Sequence, residues 1–228
     1  MAIVTIGRDR AVRRQLLIGA CAGPFFVLSS LLQAALRDGF NLAGHPPSAL
    51  ALGDGGWLQI ATFIVAGSGF IVGARGLRHV LRQWRSRWPA RCIFVFGGAL
   101  VAAGVLPMDP AFGFPPGTPA GVGGAVSWHA AVHGVLFPLG FAALLAGCIT
   151  MARCYRQQRR PVAQWCSLML GPIVLFSTIW PNLGHSPDGR FLPMWLGVVM
   201  AFLWTSGVLG DAARAVPSSV PSPQAALR

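Results

Sequence analysis

Residues 126–152, VSWHAAVHGVLFPLGFAALLAGCITMA, form a long apolar stretch that contains no Asp, Glu, Lys or Arg. A membrane-spanning helix needs about 20 such residues to cross a hydrocarbon core of ~30 Å. The stretch ends at Arg153, and Arg156, Arg159 and Arg160 follow it. An apolar run that stops at an arginine cluster is typical of a membrane helix whose end faces the cytoplasm.

Five other apolar stretches have the same character, at residues 16–36, 56–74, 92–108, 165–183 and 191–209. We therefore predict an all-α fold, a polytopic transmembrane bundle of six helices over residues 1–214. Residues 215–228 carry Pro and Ser without apolar periodicity, which predicts a disordered cytoplasmic tail. The alternative for the first stretch is a signal peptide after Arg13 and Arg14, but its apolar core is longer than the ~7–15 residues of a signal sequence.

The distribution of positive charge predicts the orientation. All 18 cationic side chains are Arg, and all except Arg37 and Arg190 lie near the termini or in the second and fourth connections. The positive-inside rule then places both termini in the cytoplasm. It places the first, third and fifth connections outside the cell membrane, with four of the five histidines in or near them. Only 11% of the residues are charged, against about 25% in soluble domains. We therefore attribute the net charge of +12 to topology and not to nucleic-acid binding.

Tryptophan positions agree with this arrangement, because Trp concentrates at both membrane surfaces. The residues near the predicted outer helix ends are Trp57, Trp128, Trp180 and Trp195, and those near the inner ends are Trp84, Trp88, Trp165 and Trp204.

Polar residues gather at the predicted outer end. His129 and His133 are four residues apart, so they project from one helix face about 6 Å apart along the axis. An ionisable residue at that depth in a membrane suggests a functional site. Asp109 ends the third apolar run and Asp54 precedes the second. The first and last outer connections add His45, His185 and Asp188.

Two histidines at this spacing and a carboxylate form a minimal zinc site. We predict His129, His133 and Asp109 as metal ligands. The chain has no Glu, so the predicted base that activates a metal-bound water is Asp54. His45 or His185 would orient the substrate. Each of two residues also has a structural alternative: His45 in His-Pro-Pro-Ser would only stiffen a turn, and Asp54 would cap the N-terminus of the second helix. Two alternatives stay open: the paired histidines are hydrogen-bonding contacts between helices, or they serve metal-free acid–base chemistry or ligand binding.

Three motifs carry a family resemblance: HPPSALALGDGGWLQ at residues 45–59, AGVLPMDP at 103–110 and SWHAAVH at 127–133. Together they resemble the domain-of-unknown-function 998 family of six-helix, mostly bacterial membrane proteins. The resemblance covers nearly the whole chain. It implies the fold, the membrane location and a site built from the three motifs, and it implies no reaction. The chain departs from the family pattern at Ala130, where Gly is expected.

These observations support three hypotheses of different classes. The first is a metal-assisted hydrolase, with a divalent metal such as zinc, acting on a lipid or amphiphile at the outer leaflet. The second is a non-enzymatic membrane protein that functions in binding, sensing or assembly. The third is a b-type haem protein that uses two outer histidines as axial ligands. The expected partners are membrane lipids and a lipid or small amphiphilic ligand, and not nucleic acid.

Overall fold

The structure is a computed structural model that describes residues 2–82, 86–121, 124–182 and 190–216. This part of the chain contains six α-helices and no β-strand. The helices are α1 (Ala2–Leu36), α2 (Gly56–Val80), α3 (Trp88–Val105), α4 (Trp128–Gln157), α5 (Pro161–Ile179) and α6 (Leu192–Ala215). Short 3-10 helices, Pro47–Ala51 and Trp180–Asn182, lie in the first and fifth connections.

All six helices are long and apolar enough to cross a membrane. The predicted all-α six-helix fold is therefore confirmed, and the chain is a multi-pass membrane protein.

The positions of the helix ends follow from local caps and prolines. Helix α4 begins after Ser127, whose side-chain oxygen accepts from the Ala130 N–H, as an N-cap does. Helix α3 ends at Val105, earlier than predicted, since Leu106 precedes a proline and proline disfavours helical backbone before it.

The helices form a closed ring in chain order. Each helix packs against the next one in the chain, and α6 packs against α1 to complete the ring. The first, third and fifth connections meet at one end, which we call the His end. The second and fourth connections, the start of α1 and the end of α6 lie at the other end, which we call the Arg end.

Small residues allow close packing between α2 and its neighbours. A Cβ added at Gly67 would lie 2.6 Å from the Gly97 carbonyl oxygen of α3, and one at Gly97 would lie 2.7 Å from the Gly67 oxygen. On its other side, a Cβ at Gly73 would lie 3.0 Å from Gly19 Cα of α1. Such contacts bring backbones together where the membrane offers little hydrophobic driving force.

An ion pair connects the fourth connection to α6 at the Arg end. Arg160, in the connection between α4 and α5, donates to both carboxylate oxygens of Asp211 in α6, at 2.5 and 2.9 Å. Tyr155 donates to the same carboxylate at 3.2 Å, and the Arg160 guanidinium lies 5.1 Å from the Tyr155 ring centre. The hydrogen bond to Asp211 raises the pKa of Arg160 above its ordinary value. This geometry joins α4, α5 and α6.

Candidate functional site

His45 joins three segments at the His end. Its Nδ1 accepts from the Asn41 N–H at 2.9 Å, and its Nε2 lies 3.0 Å from the Phe112 carbonyl oxygen. A carbonyl only accepts, so Nε2 carries the proton. The His45 carbonyl also accepts from the Trp195 indole N–H at 2.9 Å. Burial lowers the pKa of His45 more than the Phe112 bond raises it. Both ring nitrogens of His45 are therefore engaged within the protein in this structure.

Arg37, one of the two arginines at this end, is also engaged within the protein. It donates to the carbonyl oxygens of Leu50 and Leu52, at 3.0 and 2.5 Å. Its guanidinium lies 5.2 Å from the centre of the Phe114 ring. These contacts hold the first connection against the third.

Asp109 links the third connection to the start of α4. Its two carboxylate oxygens accept from the Ser127 N–H at 2.8 Å and from the Ser127 hydroxyl at 2.7 Å. These bonds hold the pKa of Asp109 below its usual range. His129 Nε2 lies 3.9 Å from Asp109 Oδ1. Asp109 is therefore close to His129, but its oxygens already have hydrogen-bond partners.

The paired histidines meet consecutive carbonyls just beyond the end of α3. His129 Nδ1 lies 2.9 Å from the Pro107 oxygen, and His133 Nδ1 lies 2.7 Å from the Leu106 oxygen. Both Nδ1 atoms must donate, because carbonyls only accept. Carbonyls at and beyond a helix end have no partner within the helix, so the histidines satisfy acceptors that apolar surroundings would leave unpaired.

The predicted metal and catalytic residues that the structure describes lie at separate places at the His end. Among residues 2–82, 86–121, 124–182 and 190–216, no group of three or more His, Cys, Asp or Glu is placed to hold a metal ion. Asp54 is exposed in the turn before α2, where Gly55 is the N-cap. His185 and Asp188 lie outside the described residues.

The centre of the ring at the His end holds a cavity of about 870 Å³. Its roof includes Pro46, Met108 and Phe112 from the connections. Its floor includes Phe26 and Phe202, whose ring centres are 4.0 Å apart. Most of the lining is apolar, and the described residues that line it include two ionisable side chains, His133 and Arg190. This is the composition of a site for an apolar ligand with one polar end.

The cavity opens sideways between α4 and α5. The residues that line it from α1, α2 and α6 are buried, whereas Pro138 and Ala142 of α4 and Leu175 and Ile179 of α5 both line it and are exposed. Closer to the Arg end the two helices touch, where Leu145 packs against Gly171. The opening therefore faces the region that the bilayer occupies around a membrane-spanning bundle.

Arg190 is the site residue that the sequence reasoning missed. It lies just before α6 and lines the cavity. Its Nε donates to the Pro181 carbonyl at 2.6 Å, and its guanidinium lies 5.5 Å from the Phe112 ring centre and 5.8 Å from that of Phe191. The available signal was charge: Arg190 is one of two arginines that break the two-sided pattern.

The fold and the cavity define the class of the protein as a multi-pass, all-helical membrane protein with a ligand-sized cavity between its helices. Residues 20–210 match a family described as Protein of unknown function (DUF998). The chain therefore belongs to this family, in agreement with the resemblance carried by the three sequence motifs. Comparisons with curated proteins and with solved structures found no match.

Proposed function

We propose that the protein binds a membrane amphiphile, with the apolar chain of the ligand in the central cavity and its polar head at the His end. The observation that carries this proposal is the apolar cavity of about 870 Å³ that opens between α4 and α5. Ligand sites typically enclose about 300–1,000 Å³ with mainly apolar walls and a few polar groups. The cavity has both properties.

The position of the opening indicates how such a ligand arrives. The helices that frame it are both long enough to cross the bilayer. An acyl chain already dissolved in the membrane could enter sideways without passing through water. Its polar head would then lie near the connections, where His133 and Arg190 border the cavity.

A substitution in the opening tests the proposal. Binding of an uncharged, pyrene-labelled long-chain alcohol to purified protein would be measured by fluorescence. Ala142→Phe places a ring where α4 borders the opening, and we expect it to weaken binding about tenfold or more, a change worth ~1.4 kcal/mol. Ala146→Phe is the matched control, because Ala146 lies one turn away, is exposed and does not line the cavity.

The expected pattern is normal binding in wild-type and Ala146→Phe protein and weak binding in Ala142→Phe. All three should elute as the same species in gel filtration and have the same helical content. Absence of binding to the wild type, or equal binding by the two variants, would contradict the proposal.

Metal-assisted hydrolysis stays a prediction and has one observation in its favour. Because His129 and His133 donate from Nδ1 to carbonyls, each keeps Nε2 as the nitrogen that could bind a metal, the usual arrangement of metal-binding histidines. Asp109 would have to give up bonds to Ser127, or share its oxygens, to act as the third ligand. In this hypothesis Asp54 would act as the base. The haem hypothesis also stays open, and an absorption spectrum of the purified protein tests it.

The location of the site also belongs to this proposal. We place the protein in the cell inner membrane, with both termini in the cytoplasm and the His end outside. The supporting observation is the concentration of arginines at the other end of the bundle.

A further inference from the structure

We infer that the ligand of the cavity carries an anionic head group, which Arg190 recognises. This inference rests on the proposed amphiphile-binding function and adds the chemical class of the ligand. It starts from a contrast between the two arginines at the His end. Arg37 is held by the Leu50 and Leu52 carbonyls and does not line the cavity, whereas Arg190 does.

The contacts of Arg190 hold its guanidinium in place at the cavity. The Nε–H group bonds to the Pro181 carbonyl, and the rings of Phe112 and Phe191 lie 5.5 and 5.8 Å away. Among the described residues, no acceptor is hydrogen-bonded to Nη1 or Nη2 of this side chain. The two terminal nitrogens form the planar edge that binds carboxylate, sulfonate or phosphate oxygens in pairs.

The start of α6 adds to the positive potential at the same place. Phe191 is the N-cap of α6 and supplies no side-chain cap, and Met194 in the first turn lines the cavity. The first N–H groups of a helix and its dipole favour anions. No acidic residue lies in the described part of the cavity lining. The polar end of the cavity is therefore complementary to a negative head group.

The alternative of a neutral or zwitterionic ligand is less consistent with this surface. A choline-like cation would face Arg190 and the N-terminal end of α6, both of which repel it. A fully neutral head would use hydrogen bonds but would supply no counter-charge to Arg190, and none of the described lining residues supplies one.

The test compares two probes with the same chain, a pyrene-labelled alkyl sulfonate and the corresponding alcohol. The sulfonate is always charged, so any difference in dissociation constant reports head-group recognition. For wild-type protein in neutral detergent we expect the sulfonate to bind about tenfold or more tightly than the alcohol, since hydrogen bonds between two charged groups are stronger than those to a neutral group. In Arg190→Gln the preference for the sulfonate should disappear, so that the two probes bind equally.

Arg190→Lys is the matched variant, because it keeps the charge and loses the planar fork. It should keep part of the sulfonate preference, and high salt should reduce that part. If Arg190→Gln also loses the alcohol, the lysine variant decides the question: a salt-sensitive preference supports the inference, and equal binding of the probes overturns it.

The outcomes separate the two levels of the proposal. Equal binding of both probes to the wild type, or an unchanged preference in Arg190→Gln, would overturn the anionic head group and leave cavity binding intact. Failure of the alcohol to bind the wild type, or to respond to Ala142→Phe, would instead overturn the proposed function.

Discussion

At the residue scale, His45 belongs to a sequence motif but makes its hydrogen bonds within the protein. The sequence predicted a role for it in orienting substrate, and nothing in the sequence indicated its partners. Phe112 lies in a different connection, and Trp195 lies in the last helix. Contacts over such separations depend on how the helices are arranged, which a local pattern does not encode. In the structure, the hydrogen bonds of His45 link the first connection to the third connection and to α6, next to the cavity.

We expect His45 to make stability depend on pH. Its pKa is lowered in the folded protein from the ordinary value of 6.5, so the unfolded chain binds more protons as the pH falls below about 6.5. Stability is then fully present above that value and is lost as the pH falls towards the folded pKa. Thermal unfolding of purified protein across this range measures the effect.

Two substitutions serve as controls for this pH effect. His45→Ala should lower stability by about 1–3 kcal/mol at neutral pH, since it leaves the Asn41 N–H and the Phe112 carbonyl unpaired. His45→Gln cannot titrate but keeps a donor and an acceptor. It should be more stable than His45→Ala and should reduce the loss below pH 6.5. An unchanged pH profile in both variants would show that other groups cause it.

The paired histidines allow a separate test of the metal hypothesis. That hypothesis predicts stoichiometric zinc in wild-type protein purified without chelator and its loss in His133→Ala, because the remaining ligands bind the ion weakly. Elemental analysis measures this. Asp54→Asn should retain the metal and abolish hydrolysis if Asp54 is the base. Metal-free wild type would leave His129 and His133 as hydrogen-bonding caps of α3.

At the element scale, the apolar runs predicted the six helices, because a segment that crosses the membrane must hydrogen-bond its own backbone N–H and C=O groups. The exact ends were less predictable, since they depend on caps and prolines such as Ser127 and Pro107. The tryptophan pattern also proved mixed. Trp57, Trp128 and Trp88 are exposed as anchors would be, whereas Trp195 is buried and bonded to His45.

Buried polar side chains that join α1 and α2 were not foreseen. Gln33 donates to Gln59 Oε1 at 2.9 Å, and Gln59 donates to Ser30 at 3.0 Å. Thr62 and Ser29 are bonded at 2.8 Å. Each of these residues looks like a minor interruption of an apolar run. Their pairing becomes visible only when the two helices are placed side by side, where hydrogen bonds between membrane helices fix their relative position.

At the scale of the whole molecule, the cavity could not be predicted from the sequence. Asp109, His129 and His133 were predicted to bind one metal with Asp54 as the base, and of these four residues only His133 lines the cavity. Leu145 and Gly171 bring α4 and α5 together towards the Arg end, whereas a Cβ added at Gly134 of α4, nearer the His end, would meet nothing within 4 Å. Such a gap depends on the directions of the helix axes, which a short stretch of sequence does not encode.

The orientation of the molecule is the last prediction, and it decides which leaflet supplies the ligand. The arginines cluster at the end opposite the cavity roof, so the positive-inside rule places the roof outside. We expect a single cysteine at Asp54, which is exposed at the His end, to react with an impermeant maleimide on intact cells. A cysteine at Arg156, exposed at the Arg end, should react only after permeabilisation. The five native cysteines would first be replaced. Reversed labelling would place the cavity in the cytoplasmic leaflet, where the same anionic ligand would have to be drawn from the other side of the membrane.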